Sequence, residues 1–261
     1  MDLGLKGRVA LVLASSRGLG QAMAVSLARE GVKVAVTGRN PEGLKKSVEM
    51  IEAVGGTALA LSWDLSDSSV IDGMVSKVER ELGPIDILVN NTGGPPPTLA
   101  AGQDPALWQK SFNDMVLSLI GITDRILPGM RERKWGRIIT STTSGAIAPI
   151  KNLAISNTLR AALLAWSKTL SAEVAAQGIT VNVIMPGRVA TDRLRQLDEA
   201  RAQRENVSYE SVVQASLRQI PMGRYGDPRE YGDAAAFLAS QSASFITGSV
   251  IRVDGGQIQA V

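Results

Sequence analysis

Three observations predict a doubly wound α/β fold. Apolar runs of strand length alternate with longer helical periodicities along nearly the whole chain. The runs are apolar on both faces, as strands covered by helices on either side must be. Small residues stand where the first strand passes into the first helix. The expectation is seven parallel strands flanked by helices, in a single domain over residues 1–261.

In chain order, the first strand is read at Val9 to Leu13. It runs through Ala14-Ser15-Ser16-Arg17-Gly18-Leu19-Gly20 into a helix over about 18 to 30. Small residues at that junction let a pyrophosphate approach backbone N–H groups at the positive end of the helix. The second strand, Val32 to Val36, continues Thr37-Gly38-Arg39-Asn40 and leads into a helix over about 41 to 54. In dinucleotide sites an acid after this strand binds the ribose 2′-hydroxyl and a basic residue the 2′-phosphate. No acid is present here. Arg39, aided by Arg17, is therefore expected to grip a 2′-phosphate, with two solvated arginines as the alternative.

The third strand, Ala58 to Leu61, is followed by Asp64-Leu65 and a helix over about 67 to 82. The fourth, Ile85 to Val89, opens into Asn90-Asn91-Thr92-Gly93-Gly94 and three prolines, a stiff wall or a plain connecting loop. Helices over about 104 to 132 and 154 to 177 flank the fifth strand, Arg137 to Thr140, which ends in the hydroxyl-rich run Ser141 to Ser144. Both helices are apolar over much of their circumference, so a second apolar face is expected to pair with another subunit. The sixth strand, Thr180 to Ile184, reaches Pro186-Gly187. The charged stretch of about 191–219 then breaks the alternation and is read as a mobile lid. A helix over about 228 to 240 precedes the seventh strand, Val250 to Val253.

Composition narrows the chemistry. The 261 residues include no cysteine and no histidine. Disulfides, thiolate nucleophiles, imidazole bases and the common metal sites are excluded. Three tyrosines are available: Tyr209 in the lid, Tyr225 in the turn before the last helix, and Tyr231 at that helix's start. Of these, Tyr225 alone is placed where a substrate is within reach. A formal net charge of +3, without any Lys/Arg run longer than two, argues against a nucleic-acid binder. The absence of a secretory leader or a membrane-length apolar run leads to an expected cytoplasmic location.

The ordered motifs resemble those of the short-chain dehydrogenase/reductase family, 3-oxoacyl-carrier-protein reductases among them, over essentially the whole length. They are the glycine loop, Asp64-Leu65, Asn90 to Gly93, Gly178 to Asn182 with Pro186-Gly187, and Ile246-Thr247-Gly248 with Val253 to Gly256. The resemblance implies a Rossmann-type sheet, a nicotinamide dinucleotide, hydride transfer at an alcohol carbon and a homotetramer. It implies cofactor contacts from Ala14, Ser16, Arg17, Gly18, Leu19, Gly20, Arg39, Asp64, Leu65, Asn91, Gly93, Pro186, Gly187 and Thr191. NADP(H) is expected over NAD(H), as read from Arg39 and Arg17. One departure lies in the loop itself, where Leu13 and Ala14 stand in place of Thr-Gly.

A larger departure lies at the reacting centre. The family's chemistry uses a Tyr, a Lys four residues later, a Ser and an Asn. Counting back from Gly178 puts the Tyr position on Ser156 and the Lys position on Arg160. The Ser position falls near Thr143, within Ser141 to Ser144, and the Asn position on Met115, two residues from Asn113. Ser156 ionises far less readily than a phenol of pKa ~10, and Arg160 cannot relay a proton. The resulting expectation is an atypical NADP-dependent reductase or dehydrogenase whose catalytic groups are Ser156, Arg160, Thr143 and Ser141, with a water as proton source. A non-catalytic dinucleotide-binding sensor or partner subunit is the alternative, and a related lyase a third reading. Lys151, Arg188 and Arg193 flank the expected pocket and suit a small carbonyl or alcohol substrate that is anionic or thioester-linked. The lid charges Arg195, Asp198, Glu199, Arg201, Arg204 and Glu205 have the spacing of an exposed helix face.

Overall fold

Seven parallel strands lie side by side in the order β3-β2-β1-β4-β5-β6-β7 in the structure, a computed structural model that describes residues 2–259. They are β1 (Val9–Val12), β2 (Lys33–Gly38), β3 (Thr57–Ser62), β4 (Ile87–Asn90), β5 (Gly136–Ser141), β6 (Ile179–Pro186) and β7 (Val250–Val253). The doubly wound sheet expected from the apolar runs is the one observed. β1 and β4 are buried at every residue, which is why their sequences are apolar throughout, whereas the edge strands β3 and β7 are partly exposed. Strand order reverses between β1 and β4, so a crevice opens beyond their carboxyl ends.

The helices are α1 (Gly18–Arg29), α2 (Pro41–Glu52), α3 (Ile71–Glu81), α4 (Pro105–Phe112), α5 (Ser118–Arg133), α6 (Ala154–Val174), α7 (Asp192–Glu205), α8 (Tyr209–Leu217) and α9 (Pro228–Ala239). Two apolar cores cover the sheet. One joins it to α3, α5 and α6 through residues such as Val75, Ile122 and Leu163. The other joins it to α1, α2 and α9 through residues such as Met23, Leu44 and Leu238. Local chemistry starts the helices where it should: Asn40 caps α2 ahead of Pro41, and Asp227 with Glu230 forms a capping box on α9 ahead of Pro228.

The structure differs from expectation at one place. The helix expected over 104 to 132 is interrupted by one π turn, Asn113–Leu117, between α4 and α5. An added residue in the turn leaves Asn113 exposed and sends Met115 into the core. The stretch expected to be a lid is a pair of helices, α7 and α8. Thr191 and Ser208 supply the N-terminal caps, and Asn206 turns the chain between them at a φ of +51°.

Candidate functional site

The glycine loop is held by side chains from the next two strand ends. Ala14 N–H donates to Thr37 Oγ1 at 3.0 Å, and Ser15 Oγ donates to Val12 O at 2.7 Å while accepting from Thr37 N–H. Asn91 Nδ2 donates to the carbonyls of Leu13 and Ala14 at 3.3 and 3.1 Å. Gly20 closes the cradle, because a β-carbon there would stand 2.4 Å from the Ala14 carbonyl oxygen and 2.8 Å from Asn91 Nδ2. No side chain caps α1 and no acid stands in its first turn. Its leading N–H groups and positive dipole end are therefore offered to an anion above Ser16, Arg17, Gly18 and Leu19.

Arg39 and Arg17 are exposed at the rim of this cradle. Arg39 forms a long, solvent-exposed pair with Asp64 at 3.7 Å. The Asp64 carboxyl is held below the usual carboxylate range mainly by the Ser66 backbone N–H, then by the Ser66 hydroxyl, with Arg39 contributing less. Asp64 thus also serves its own turn, while Leu65 packs on the core beneath. Arg17 remains exposed beside Ser16 at the start of α1.

Beyond β4 and β5 the site is organised by Arg160, only 6% exposed. Its Nη2 donates to the carbonyls of Thr92 and Gly93 at 2.9 and 3.1 Å, and its Nη1 to that of Ser141 at 3.1 Å. Burial lowers its pKa to about 10, with the Tyr231 phenol raising it by a smaller effect. This corrects the expectation of an arginine free to meet substrate charge. The turn of α6 that carries Arg160 packs beneath the strand ends, and its planar fork matches carbonyls that diverge there. The wall from Thr92 to Thr98 is fixed at its far end too, since Thr98 bridges Leu153 and its hydroxyl accepts from Ile155 N–H at 3.2 Å.

Ser156 is half-buried one turn before Arg160, and Thr143 caps the short helical turn Ser144–Ala146. Ser141 requires a second correction. Its hydroxyl lies 2.9 Å from the Tyr231 hydroxyl, which in turn donates to Ile184 O, in the core formed with α9. Burial drives the Tyr231 phenol pKa upward, so this tyrosine stays neutral and structural. Alternation along β5 explains the swap. Thr140 accepts from Ser167 of α6, so Ser141 points to the opposite layer. Thr142 Oγ1 and Thr92 Oγ1 are both buried without a partner. Both stand inside motifs read from the sequence, Thr142 in the run Ser141 to Ser144 and Thr92 in Asn90 to Gly93, without a separate role of their own.

The last wall comes from the β6 end. Gly187 N–H donates to Val253 O at 3.0 Å, and a β-carbon on Gly187 would stand 2.7 Å from Asp254 Cα. After Pro186-Gly187 the chain reaches Thr191, which caps α7 and whose methyl would stand 4.0 Å from a β-carbon on Gly18. Arg188, expected to face substrate, instead bonds Asp198 at 2.6 Å, and Tyr225 donates to the same carboxylate at 2.7 Å. Asp198 is only 1% exposed, so it does not share the solvated face of its neighbours. The other lid charges do pair in solvent, Arg195 with Glu199 and Arg201 with Glu205, with Arg204 alongside. Lys151 and Arg193 remain exposed, and Tyr209 opens α8, half-buried. Among the described residues no acidic cluster could hold a metal ion and no helix is long and apolar enough to cross a membrane.

Comparison with known proteins places this arrangement. Residues 13–257 match the profile of a family described as Enoyl-(Acyl carrier protein) reductase. The chain is 36% identical to acetoacetyl-CoA reductase of Shinella zoogloeoides over 250 residues, covering 96% of this chain and 98% of that one. It is 32% identical to 3-oxoacyl-[acyl-carrier-protein] reductase of Vibrio cholerae, covering 97% and 98%. Among solved structures, L-sorbose reductase from Gluconobacter frateurii, complexed with NADPH and L-sorbose, superposes with a TM-score of 0.94 at 30% identity, with both chains covered completely.

Proposed function

Because the chain belongs to the short-chain dehydrogenase/reductase family, we propose that it is an NADP(H)-dependent oxidoreductase acting on a small carbonyl or alcohol compound. The cradle at Gly20 carries the proposal: a β-carbon would fill it, and uncapped helix donors face it. Those features fit a dinucleotide. Ala14 to Gly20 and Asn91 would hold the pyrophosphate and the neighbouring ribose, Asp64 and Leu65 the adenine, and Gly93, Pro186, Gly187 and Thr191 the nicotinamide end. Arg39 and Arg17 favour the 2′-phosphate form, since among the described residues their one acidic competitor is Asp64, in an exposed 3.7 Å pair with Arg39. When bound, the cofactor supplies or accepts the hydride.

The chain's own task is to orient the substrate oxygen and stabilise charge that develops on it. Ser156 and Thr143 are half-buried hydroxyl donors at that end of the crevice, while Thr142 Oγ1 is buried without a partner. Arg160 acts chiefly by fixing the carbonyl wall at Thr92, Gly93 and Ser141, while its charge favours a developing oxyanion nearby. Ser141 stands behind this wall through its carbonyl rather than its hydroxyl. A water supplies the proton, because neither Ser156 nor Arg160 titrates usefully near neutral pH. Arg188 being spent on Asp198 leaves Lys151 and Arg193 as the cations for an anionic or thioester-linked substrate. The working unit is one domain with the lid, cytoplasmic and homotetrameric. Exposed Phe112 and Leu117 beside α5, and Phe245 beside the edge strand β7, support the assembly.

The engaged state of Arg160 favours a second reading, a non-catalytic dinucleotide-binding sensor or partner subunit. A fluorescence titration with NADPH and NADH, together with NADPH absorbance in the presence of small ketones, 3-oxoacyl thioesters and sugars, separates the two. The expected result is tighter NADPH than NADH binding, with oxidation by at least one carbonyl class. Tight binding without oxidation across the panel supports the second reading, and tighter NADH binding overturns the cofactor preference.

A further inference from the structure

The geometry points to Asp198 as a latch that fastens the lid over the cofactor crevice through Arg188 and Tyr225; this rests on the dinucleotide reading of that crevice. The seat of the latch is preformed in the body. Arg188 and Tyr225 lie on two loops stitched together by the Val189 to Gly226 bridge, with Ala190 N–H donating to Gly226 O and Gly226 N–H to Arg188 O, each at 2.9 Å. Arg188 N–H is further held by Gln257 Oε1 at 3.1 Å. The tongue of the latch is on α7, which buries only Asp198 and Ala202 of its fourteen residues. One small apolar side chain cannot dock a helix by itself. The ion pair at 2.6 Å and the phenol bond at 2.7 Å to Asp198 are therefore what seats it.

A buried carboxylate tolerates two arrangements, fully bonded or back in water, and little between. The lid should accordingly move as a unit between a latched and a released position. Its root stands where motion would matter, since Thr191, three residues beyond Arg188, caps α7 and faces the open side of Gly18 in the glycine loop. Asp198 is thus a positioning residue. It holds α7 down over the path by which a dinucleotide enters and leaves, without touching the dinucleotide itself.

The test compares Asp198→Ala and Tyr225→Phe with the unaltered protein, the second variant removing one hydrogen bond while keeping the ring. Trypsin acting on the native fold should cut after Arg193, Arg195, Arg201 and Arg204 about tenfold faster in Asp198→Ala and less markedly faster in Tyr225→Phe. NADPH dissociation in stopped flow should accelerate in the same order, with melting temperatures showing that the rest of the fold persists. Lid cleavage within twofold of the unaltered protein in both variants overturns the latch. Faster cleavage with unchanged NADPH release overturns its hold on the cofactor. If the unaltered protein binds no NADPH, the dinucleotide reading fails and the cleavage rates alone decide whether Asp198 seats the lid.

Discussion

Ala14 holds a φ of +45°, a left-handed conformation that a β-carbon opposes, at a position where the related motif carries glycine. The strain persists because Thr37 Oγ1 bonds its N–H and Asn91 its carbonyl. Replacing Ala14 with Gly removes a steric cost of about 1–2 kcal/mol and adds about 0.5–1 kcal/mol of unfolded-state entropy. A net stabilisation of about 0.5–1 kcal/mol is expected in urea unfolding. An unchanged or lower midpoint would show that the loop relaxes without strain. The departure itself was legible in the sequence, but its conformation was not. At Arg160 the spacing named a residue whose side-chain partners are backbone carbonyls from two separate segments, the loop after β4 and the end of β5. Backbone acceptors carry no sequence signature, which is why a free catalytic cation was expected.

Between elements, α1 and α9 cross at close quarters. A β-carbon on Gly232 would stand 2.5 Å from both the Ala22 carbonyl oxygen and Ser26 Oγ. Ser26 also donates to Asp233 at 2.8 Å across the same contact. Gly232→Ala should force the helices apart and cost roughly 1–3 kcal/mol, the range for overpacking, read as a lower thermal midpoint. A loss under about 0.5 kcal/mol would mean that the crossing repacks freely. Strand and helix existence was readable because both periodicities are strong, and observed boundaries fall within a few residues of expectation. The π turn at Asn113–Leu117 was not readable, because it differs from an α-helix by about one residue per turn. The charge spacing of the lid did point to a helix face, but few apolar residues mark its buried side.

For the whole molecule, the missing histidines and cysteines predict how stability follows pH. No side chain with an ordinary pKa between about 5 and 8 is available to titrate, so the melting temperature should form a plateau from about pH 5 to about pH 9. Below it, carboxylates held low in the fold must take up protons. Glu230, paired with Arg224 at 2.6 and 2.8 Å and bonded by Asp227 N–H, is held down to about 2, and Asp64 and Glu205 are also lowered. A depressed folded pKa gives stability that is present above the unfolded value and is lost as pH falls through the folded one. The melting temperature should therefore decline from about pH 5 toward pH 2, and Glu230→Gln should soften that decline. A maximum within the plateau, or a Glu230→Gln profile parallel to the unaltered protein's, would contradict this account.

The sequence by itself determined the doubly wound sheet, the glycine-bearing turn into the first helix, the exclusion of imidazole and thiol chemistry, and the resemblance to the family. These depend on local periodicity, spacing and composition. The tertiary structure alone decided which way each candidate side chain faces. Ser141 turned to Tyr231, Arg160 into three carbonyls, and Arg188 with Tyr225 onto Asp198. A hydrogen bond is directional and short, so its partner is chosen by how strands and helices pack, over separations along the chain that no local pattern encodes.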